Sequence, residues 1–408
     1  MEETLYKRDK HDHVRFWTIQ HDNVSYWTIS GIFPNGKAQK TAPTFVEQKN
    51  IGKANETSLE EQVIKEVKAK IAYQIDHGFT YEVPDIDDKR FEVSLASKYI
   101  DRKEKNKLVY PYIYQQKLDG IRCYLKCERG SDEFFGDSFM NISAWSRGHK
   151  EFVSVEHLKQ DRVITAIFEM FPDIILDGEL YNHELKSDFN RICSLVKKTK
   201  PTQADLDESK EKIYFNCFDC YFKNSPNLTF MQRNEKLMSY VDDLYYLKEE
   251  VEEESRFRFV TSDGISLFGG INKFLASDEE VEEQIKEYVD EGFEGIMLKR
   301  DVPYFFGRST DLLKYKFFKD GEYKIVTFEE GKGNLKGIAA SVVCVADNGT
   351  EFRAGVTGTQ DEARQMFIDR DKYVGKLATI KYQELTPVQD GKGGVPRFGK
   401  MVTVRDYE

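Results

Sequence analysis

One lysine, followed within three residues by a carboxylate and a glycine, constrains this chain more than any other feature. The segment is Lys117-Leu118-Asp119-Gly120-Ile121-Arg122, preceded by Tyr112-Ile113-Tyr114 and followed by Cys123-Tyr124-Leu125. Both flanks are rich in β-formers, and Asp-Gly favours a tight turn. The stretch therefore reads as strand, turn, strand, with Lys117 at the end of the first strand. Gln115, two residues earlier, shares a face of that strand with Lys117. A solvated lysine at a hairpin tip would give the same local pattern, so the weight falls on segments further along the chain.

Five further segments come after it in order. They are Asp177-Gly178-Glu179-Leu180, then Phe218-Asp219, then Glu294-Gly295-Ile296-Met297-Leu298-Lys299, then Leu313-Lys314-Tyr315-Lys316. Last come Pro396-Arg397-Phe398 and Arg405-Asp406. The ordered set resembles the covalent nucleotidyltransferase superfamily and, within it, compact ATP-dependent DNA ligases of viral or phage type. The resemblance runs from about Ser94 to the last residue.

That resemblance implies an α+β multidomain chain. Residues 89–319 would form an ATP-grasp-like nucleotidyltransferase (adenylation) domain, and residues 320–408 an OB-fold. The last section does carry short β-like runs separated by glycine turns, at 323–328, 340–346, 351–356, 377–383 and 401–404, as a small barrel requires. The join Lys319-Asp320-Gly321-Glu322 has the composition of a hinge.

Residues 1–88 read independently of that set. Val14–Ile19 and Ser25–Ile29 are aromatic-rich strands around a polar His21-Asp22-Asn23 turn. Thr57 or Ser58 can cap a helix answered by Glu60, Glu61 or Gln62. That helix carries Val63, Val67 and Ile71 on one face and stops near His77-Gly78. A small sheet with one helix resembles a WGR-type domain, which implies nucleic-acid binding, although Ser30-Gly31-Ile32 stands where the Trp-Gly-Arg triplet belongs. A packing or partner-binding module fits the same pattern.

Composition bounds these readings. The formal net charge of −11 argues against a polybasic DNA binder, so a DNA groove would have to be a local basic surface. The Lys/Arg-rich runs 98–107 and 197–200 are candidates for it, and solvated loops would look the same. The acidic runs 248–255 and 277–287 read as solvated helix faces. Six scattered cysteines fit a reducing compartment, and a zinc site built on Cys217 and Cys220 is disfavoured because they lie in a strand-like apolar run. There is no run of eighteen apolar residues and no secretion signal, which predicts a soluble, intracellular protein, cytoplasmic or in a host cytoplasm if viral.

The chemistry follows from the resemblance. Lys117 would be the nucleophile that takes AMP from ATP. A lysine is protonated and inert at neutral pH unless nearby positive charge favours the neutral amine. Lys314 and Lys316, two apart on one strand face, would supply that charge together with Mg2+ and hold the α-phosphate. Glu294 would be the magnesium ligand. Glu179 would meet the ribose, Phe218 would stack on adenine, and Gln115 would meet the adenine edge. Arg122 and Arg147 would meet the nucleotide or the DNA 5′-phosphate, with Lys299 a further phosphate-side candidate. Arg405 would orient the departing pyrophosphate when the OB-fold closes on ATP, before that domain swings to close on DNA. The implied partner is nicked duplex DNA, engaged by a monomer. An RNA ligase shares the first five motifs, and a non-catalytic nucleotide or DNA-end binder would share the fold, though it would be expected to lack the three phosphate-handling lysines.

Overall fold

Asp22 turns the second hairpin, its carboxylate accepting the amides of Val24 and Ser25 at 2.9 and 2.6 Å. In the computed structural model this hairpin belongs to a five-stranded antiparallel sheet. Its strands are β1 (Glu2–Arg8), β2 (Val14–His21), β3 (Ser25–Ile32), β4 (Gln39–Lys40) and β5 (Thr44–Phe45), with β4 and β5 both paired to β3. The structure describes residues 2–9, 11–84, 91–131, 138–244, 254–331, 335–386, 388 and 394–405. Helix α1 (Leu59–Asp76) starts at Ser58, which forms a reciprocal capping box with Glu61. Thr57 instead donates to Gln62 at 2.9 Å. Val63, Val67 and Ile71 on α1 pack with Leu5, Trp17, Ile19 and Tyr26, so the helical period places the apolar stripe on the sheet. The helix ends at His77, and Gly78 takes φ +86°, a conformation that costs glycine little. This compact unit comprises Met1–Glu92 and Arg147–Lys150.

The second unit, Val93–Ser146 with Glu151–Glu408, contains two sheets and a barrel. The sheet strands are β6 (Ser94–Lys98), β7 (Tyr112–Lys117), β8 (Ile121–Ser131), β9 (Ser138–Ser146), β10 (Ile174–Tyr181), β11 (Tyr214–Phe222), β12 (Phe257–Thr261), β13 (Gly264–Ser266), β14 (Phe274–Leu275), β15 (Gly295–Lys299) and β16 (Gly307–Lys316). One sheet runs β13-β12-β11-β10-β8-β9 and the other β14-β7-β15-β16-β6. Consecutive strands β7 and β8 thus lie in different sheets, and Leu118-Asp119-Gly120 is the crossing between them. Helices α2 (Tyr99–Lys103), α3 (Arg162–Met170), α4 (Phe189–Val196), α5 (Gln203–Lys212), α6 (Phe230–Asp243) and α7 (Asp278–Asp290) join and cover the strands. Phe168, Leu176, Phe215 and Phe257 fill the core of the first sheet; Val281, Ile285 and Tyr288 of α7 pack on Tyr112, Ile296 and Leu298 of the second. The acidic run that begins α7 places Asp278, Glu279 and Glu280 in its first turn, where the helix dipole favours them. Most of the other acidic run, 248–253, lies outside the described residues.

A closed barrel, ordered β17-β18-β19-β21-β20, completes the unit. Its strands are β17 (Lys319–Glu330), β18 (Ala339–Val345), β19 (Glu351–Val356), β20 (Leu377–Tyr382) and β21 (Lys400–Arg405), close to the five runs expected of an OB-fold. Ile325, Phe328, Val342, Phe352, Ile380 and Met401 form its core. Helix α8 (Gln360–Ile368) was not expected, yet Thr359 and Glu362 form a capping box that the spacing advertised. The join read as a hinge lies at the start of β17, where Lys319 pairs with Tyr382.

Candidate active site

The crossing from β7 to β8 is held by a glycine that has no room for a side chain. A Cβ on Gly120 would lie 2.4 Å from the carbonyl oxygen of Leu180 and 2.8 Å from Glu179 Cγ. The Lys117 segment and the Glu179 segment therefore touch through backbone. On the other side of β7, Gly295 of β15 pairs with both Lys117 of β7 and Lys316 of β16, and the Glu294 amide donates to the Lys117 carbonyl at 3.0 Å. Three strands of one sheet thus bring Lys117, Glu294 and Lys316 together. Both lysines pair with the Glu294 carboxylate.

Charge and burial set the protonation of this group. Burial pushes the Glu294 carboxyl up, but Lys117 and Lys316 overcome it and hold its pKa down to about 2. Lys314 is lowered by burial first and then by the charges of Lys117, Lys316 and Arg308. It therefore shares the field of Lys117, as two-residue spacing on one strand requires. Glu179 differs from Glu294. Burial pushes it up to about 7 against the opposing charges of Lys117 and Arg122.

Gln115, 1% exposed, donates from Nε2 to the carbonyls of Val260 at 2.5 Å and Phe218 at 3.2 Å. Its Oε1 is buried with no hydrogen-bond partner. Phe218 lies at the edge of the first core. Arg122 packs over the Phe218 ring at 4.4 Å and is held by both oxygens of Asp177, each at 2.6 Å. Tyr304 donates to the same carboxylate at 2.6 Å. Arg122 is thus placed beneath the aromatic residue rather than free in the cleft. Lys299 sends its ammonium to the Phe218 carbonyl at 2.6 Å and to Asp219 at 3.4 Å.

Arg147 is exposed in the turn after β9, directly after Ser146, which pairs with Cys123 of β8. Arg405 stays on the barrel, bonded to Glu322 and Thr379 at 3.0 Å each; Asp406 and Tyr407 lie outside the described residues. Residues given no role from the sequence reach the site instead. Gln383, just past β20, donates to Glu294 at 2.7 Å. Arg397 pairs with Asp119 and Glu384, and its guanidinium lies 4.2 Å from the Phe189 ring. The sequence carried Arg397 inside a motif but offered no signal for Gln383.

Among the described residues no three His, Cys, Asp or Glu side chains gather as a metal cluster. A magnesium ion needs only one or two carboxylates when phosphate oxygens and water complete its shell, and ionised, buried Glu294 fits that donor set.

The chain is similar to known DNA ligases. Residues 94–316 match the family model described as the ATP dependent DNA ligase domain, and residues 330–405 match the DNA ligase OB-like domain. A DNA ligase of African swine fever virus is 23% identical over 378 residues, spanning 88% of this chain and 78% of the relative. That of Enterobacteria phage T4 is 23% identical over 307 residues, 69% of this chain and 62% of the relative. A solved structure from a study of Lig E DNA ligases shares the fold with a TM-score of 0.54 at 23% identity, covering 78% of this chain and all of that one.

Proposed function

We propose how this chain, which belongs to the ATP-dependent DNA ligase family, divides its reaction among the residues around the β7–β8 crossing. The enzyme seals 5′-phosphate/3′-hydroxyl nicks in duplex DNA through a lysyl-AMP intermediate, with ATP as the nucleotide. The observation that carries the residue assignment is the sharing of Glu294 by Lys117 and Lys316 at one end of β7, while Gln115 approaches Phe218 from the same strand.

Lys117 Nζ loses its proton and attacks the α-phosphorus of ATP. The N–P bond forms as the bond to the pyrophosphate oxygen breaks. Lys314 and Lys316 neutralise the charge that develops on the phosphate oxygens, and Glu294 keeps Nζ pointed at them. Glu294 would hold Mg2+ beside the phosphates, where the ion supplies further charge neutralisation. The DNA 5′-phosphate oxygen then displaces the lysine. Finally the 3′-hydroxyl attacks the phosphorus of the DNA 5′-phosphate, and the phosphodiester bond forms as the bond to AMP breaks.

The base is chosen by Gln115. Its amide cannot turn over without aiming Oε1 at two carbonyls, so Oε1 is fixed as an acceptor. A buried acceptor without a partner favours a ligand amino group over a ligand carbonyl, and at C6 adenine carries the amino group where guanine carries the carbonyl. Phe218 offers the aromatic face and Glu179 the ribose contact.

Nicked duplex DNA is the macromolecular partner, and the N-terminal unit, which resembles WGR-type domains in outline, adds contacts to it. Not all of the two basic runs is open to phosphate: Lys103 pairs with Asp278 and Glu282, and Lys198 with Asp205. The enzyme acts as a soluble intracellular monomer. Among the described residues no helix is long and apolar enough to cross a membrane.

The test is nick sealing on a 5′-phosphorylated duplex, run with ATP, GTP or NAD and with DNA or RNA strands, beside Lys117→Ala. Sealing of DNA with ATP alone, lost in the variant, is expected. An adduct that survives Lys117→Ala would overturn the assignment of the nucleophile, and sealing confined to RNA strands would overturn the substrate.

A further inference from the structure

Beside Phe218 lie three buried charges whose sum is not zero. Asp219, Arg233 and Lys299 are 7%, 5% and 6% exposed. Arg233, on α6, already grips both oxygens of Asp219, at 2.6 and 3.0 Å, and donates to the carbonyls of Leu228 and Val302 at 3.1 and 2.9 Å. The Cys220 amide donates to the same carboxylate at 2.8 Å. Asp219 is therefore neutralised before Lys299 is considered. A second buried cation costs desolvation that this carboxylate does not require.

The shortest contact of Lys299 explains why it is there. Its ammonium lies 2.6 Å from the Phe218 carbonyl but 3.4 Å from Asp219. The same carbonyl takes the Gln115 amide at 3.2 Å. Donors from β7 and β15, neighbours in one sheet, thus clamp one carbonyl of β11 in the other sheet. Lys299 Nζ also lies 5.2 Å from the Phe218 ring centroid and 4.4 Å from that of Phe230. Its hydrogen bonds and ion pairs go to Phe218 and Asp219, with none to Lys117, Lys314, Lys316 or Glu294.

We infer that Lys299 is a positioning residue of the adenine site, acting through the Phe218 carbonyl, and not a ligand of phosphate. The inference rests on the reading that Phe218 carries the base. Without Lys299 the carbonyl retains only the longer Gln115 bond, so the ring and the amide that judges the base both lose their register. ATP then binds less well, while the distance from Lys117 to the α-phosphorus in bound ATP is set by other residues.

Self-adenylylation in a single turnover, titrated with ATP, tests this on the full-length chain. Lys299→Met should raise the ATP concentration for half-maximal rate about tenfold, the loss of one charged hydrogen bond, and leave the maximal rate within about twofold. Lys299→Arg, which keeps a donor and the charge, should recover most of the affinity. Should the Met variant melt below assay temperature, Lys299→Gln, with one donor retained, should show the same split at smaller size. A fall in maximal rate at unchanged ATP affinity would instead make Lys299 a phosphate-side group. No change in either quantity, in variants shown folded by their melting curves, would make it structural only. Phe218→Ala separates the underlying reading: if that variant keeps wild-type ATP affinity, the adenine platform is wrong, whatever Lys299 does.

Discussion

Glu179 is a carboxyl whose surroundings change what it does at neutral pH. Its pKa is pushed up to about 7 in the folded enzyme, while the unfolded chain keeps the ordinary value near 4.5. The folded state therefore holds the proton more tightly, and stability falls as pH rises from about 4.5 to 7, then levels off. Glu179→Gln removes that penalty. In the ligand-free enzyme it should add roughly 1 kcal/mol at pH 8, a figure discounted for partial solvent screening, and nothing at pH 4.5. Urea melts at the two pH values check this, and an equal gain at both would point to packing instead. Gln115→Ala, on the same reasoning about single groups, should raise the half-saturating ATP concentration about tenfold and narrow the preference over GTP. Residues of this kind are legible in sequence only where their partners are local. The Lys314 and Lys316 pair follows from strand period alone. The place of Lys299 does not, because alternation gives the face of a strand and not the carbonyl of another sheet that lies beyond it.

Two elements test how far backbone geometry reaches into chemistry. Gly120→Ala would push a Cβ into the Leu180 carbonyl, so β7 or β10 must move. A loss of about 2 kcal/mol in stability and a larger loss in adenylylation rate are expected, since the shift displaces Lys117 and Glu179 together. Wild-type adenylylation in a folded Gly120→Ala protein would refute that coupling. Ser58→Ala breaks the capping box of α1 at a cost of about 1 kcal/mol to the N-terminal unit, and adenylylation should be untouched. The contrast explains what sequence made visible at this scale. Helix α1 and the barrel strands announce themselves through caps, period and glycine turns, all local signals. The assignment of β7 and β8 to different sheets depends on pairings with strands distant in the chain, and no local pattern encodes it.

At the scale of the whole molecule, the barrel offers two different arginines, and only one of them meets the site. Arg397 reaches Asp119, two residues from the nucleophile, and Gln383 reaches Glu294, whereas Arg405 is tied to Glu322 on the barrel itself. In the present placement of the barrel, Arg397 meets the site and Arg405 pairs on the barrel instead. If Arg405 orients pyrophosphate during self-adenylylation, it does so with the barrel turned from its present arrangement, which then belongs to the later, DNA-bound steps. The two arginines should therefore separate in assays that isolate the steps. Arg405→Ala should slow formation of lysyl-AMP by tenfold or more, on the order of one lost charged contact, and largely spare sealing of a nick that already carries AMP. Arg397→Ala should show the reverse, with near-normal lysyl-AMP formation and slow use of the nick, because it unlatches the barrel from Asp119. Glu384→Ala, which frees Arg397 from its second carboxylate, should resemble wild type more than Arg397→Ala does. Loss of both steps in both arginine variants would mean that one barrel position serves the entire reaction, and that Arg405 acts from its place beside Glu322.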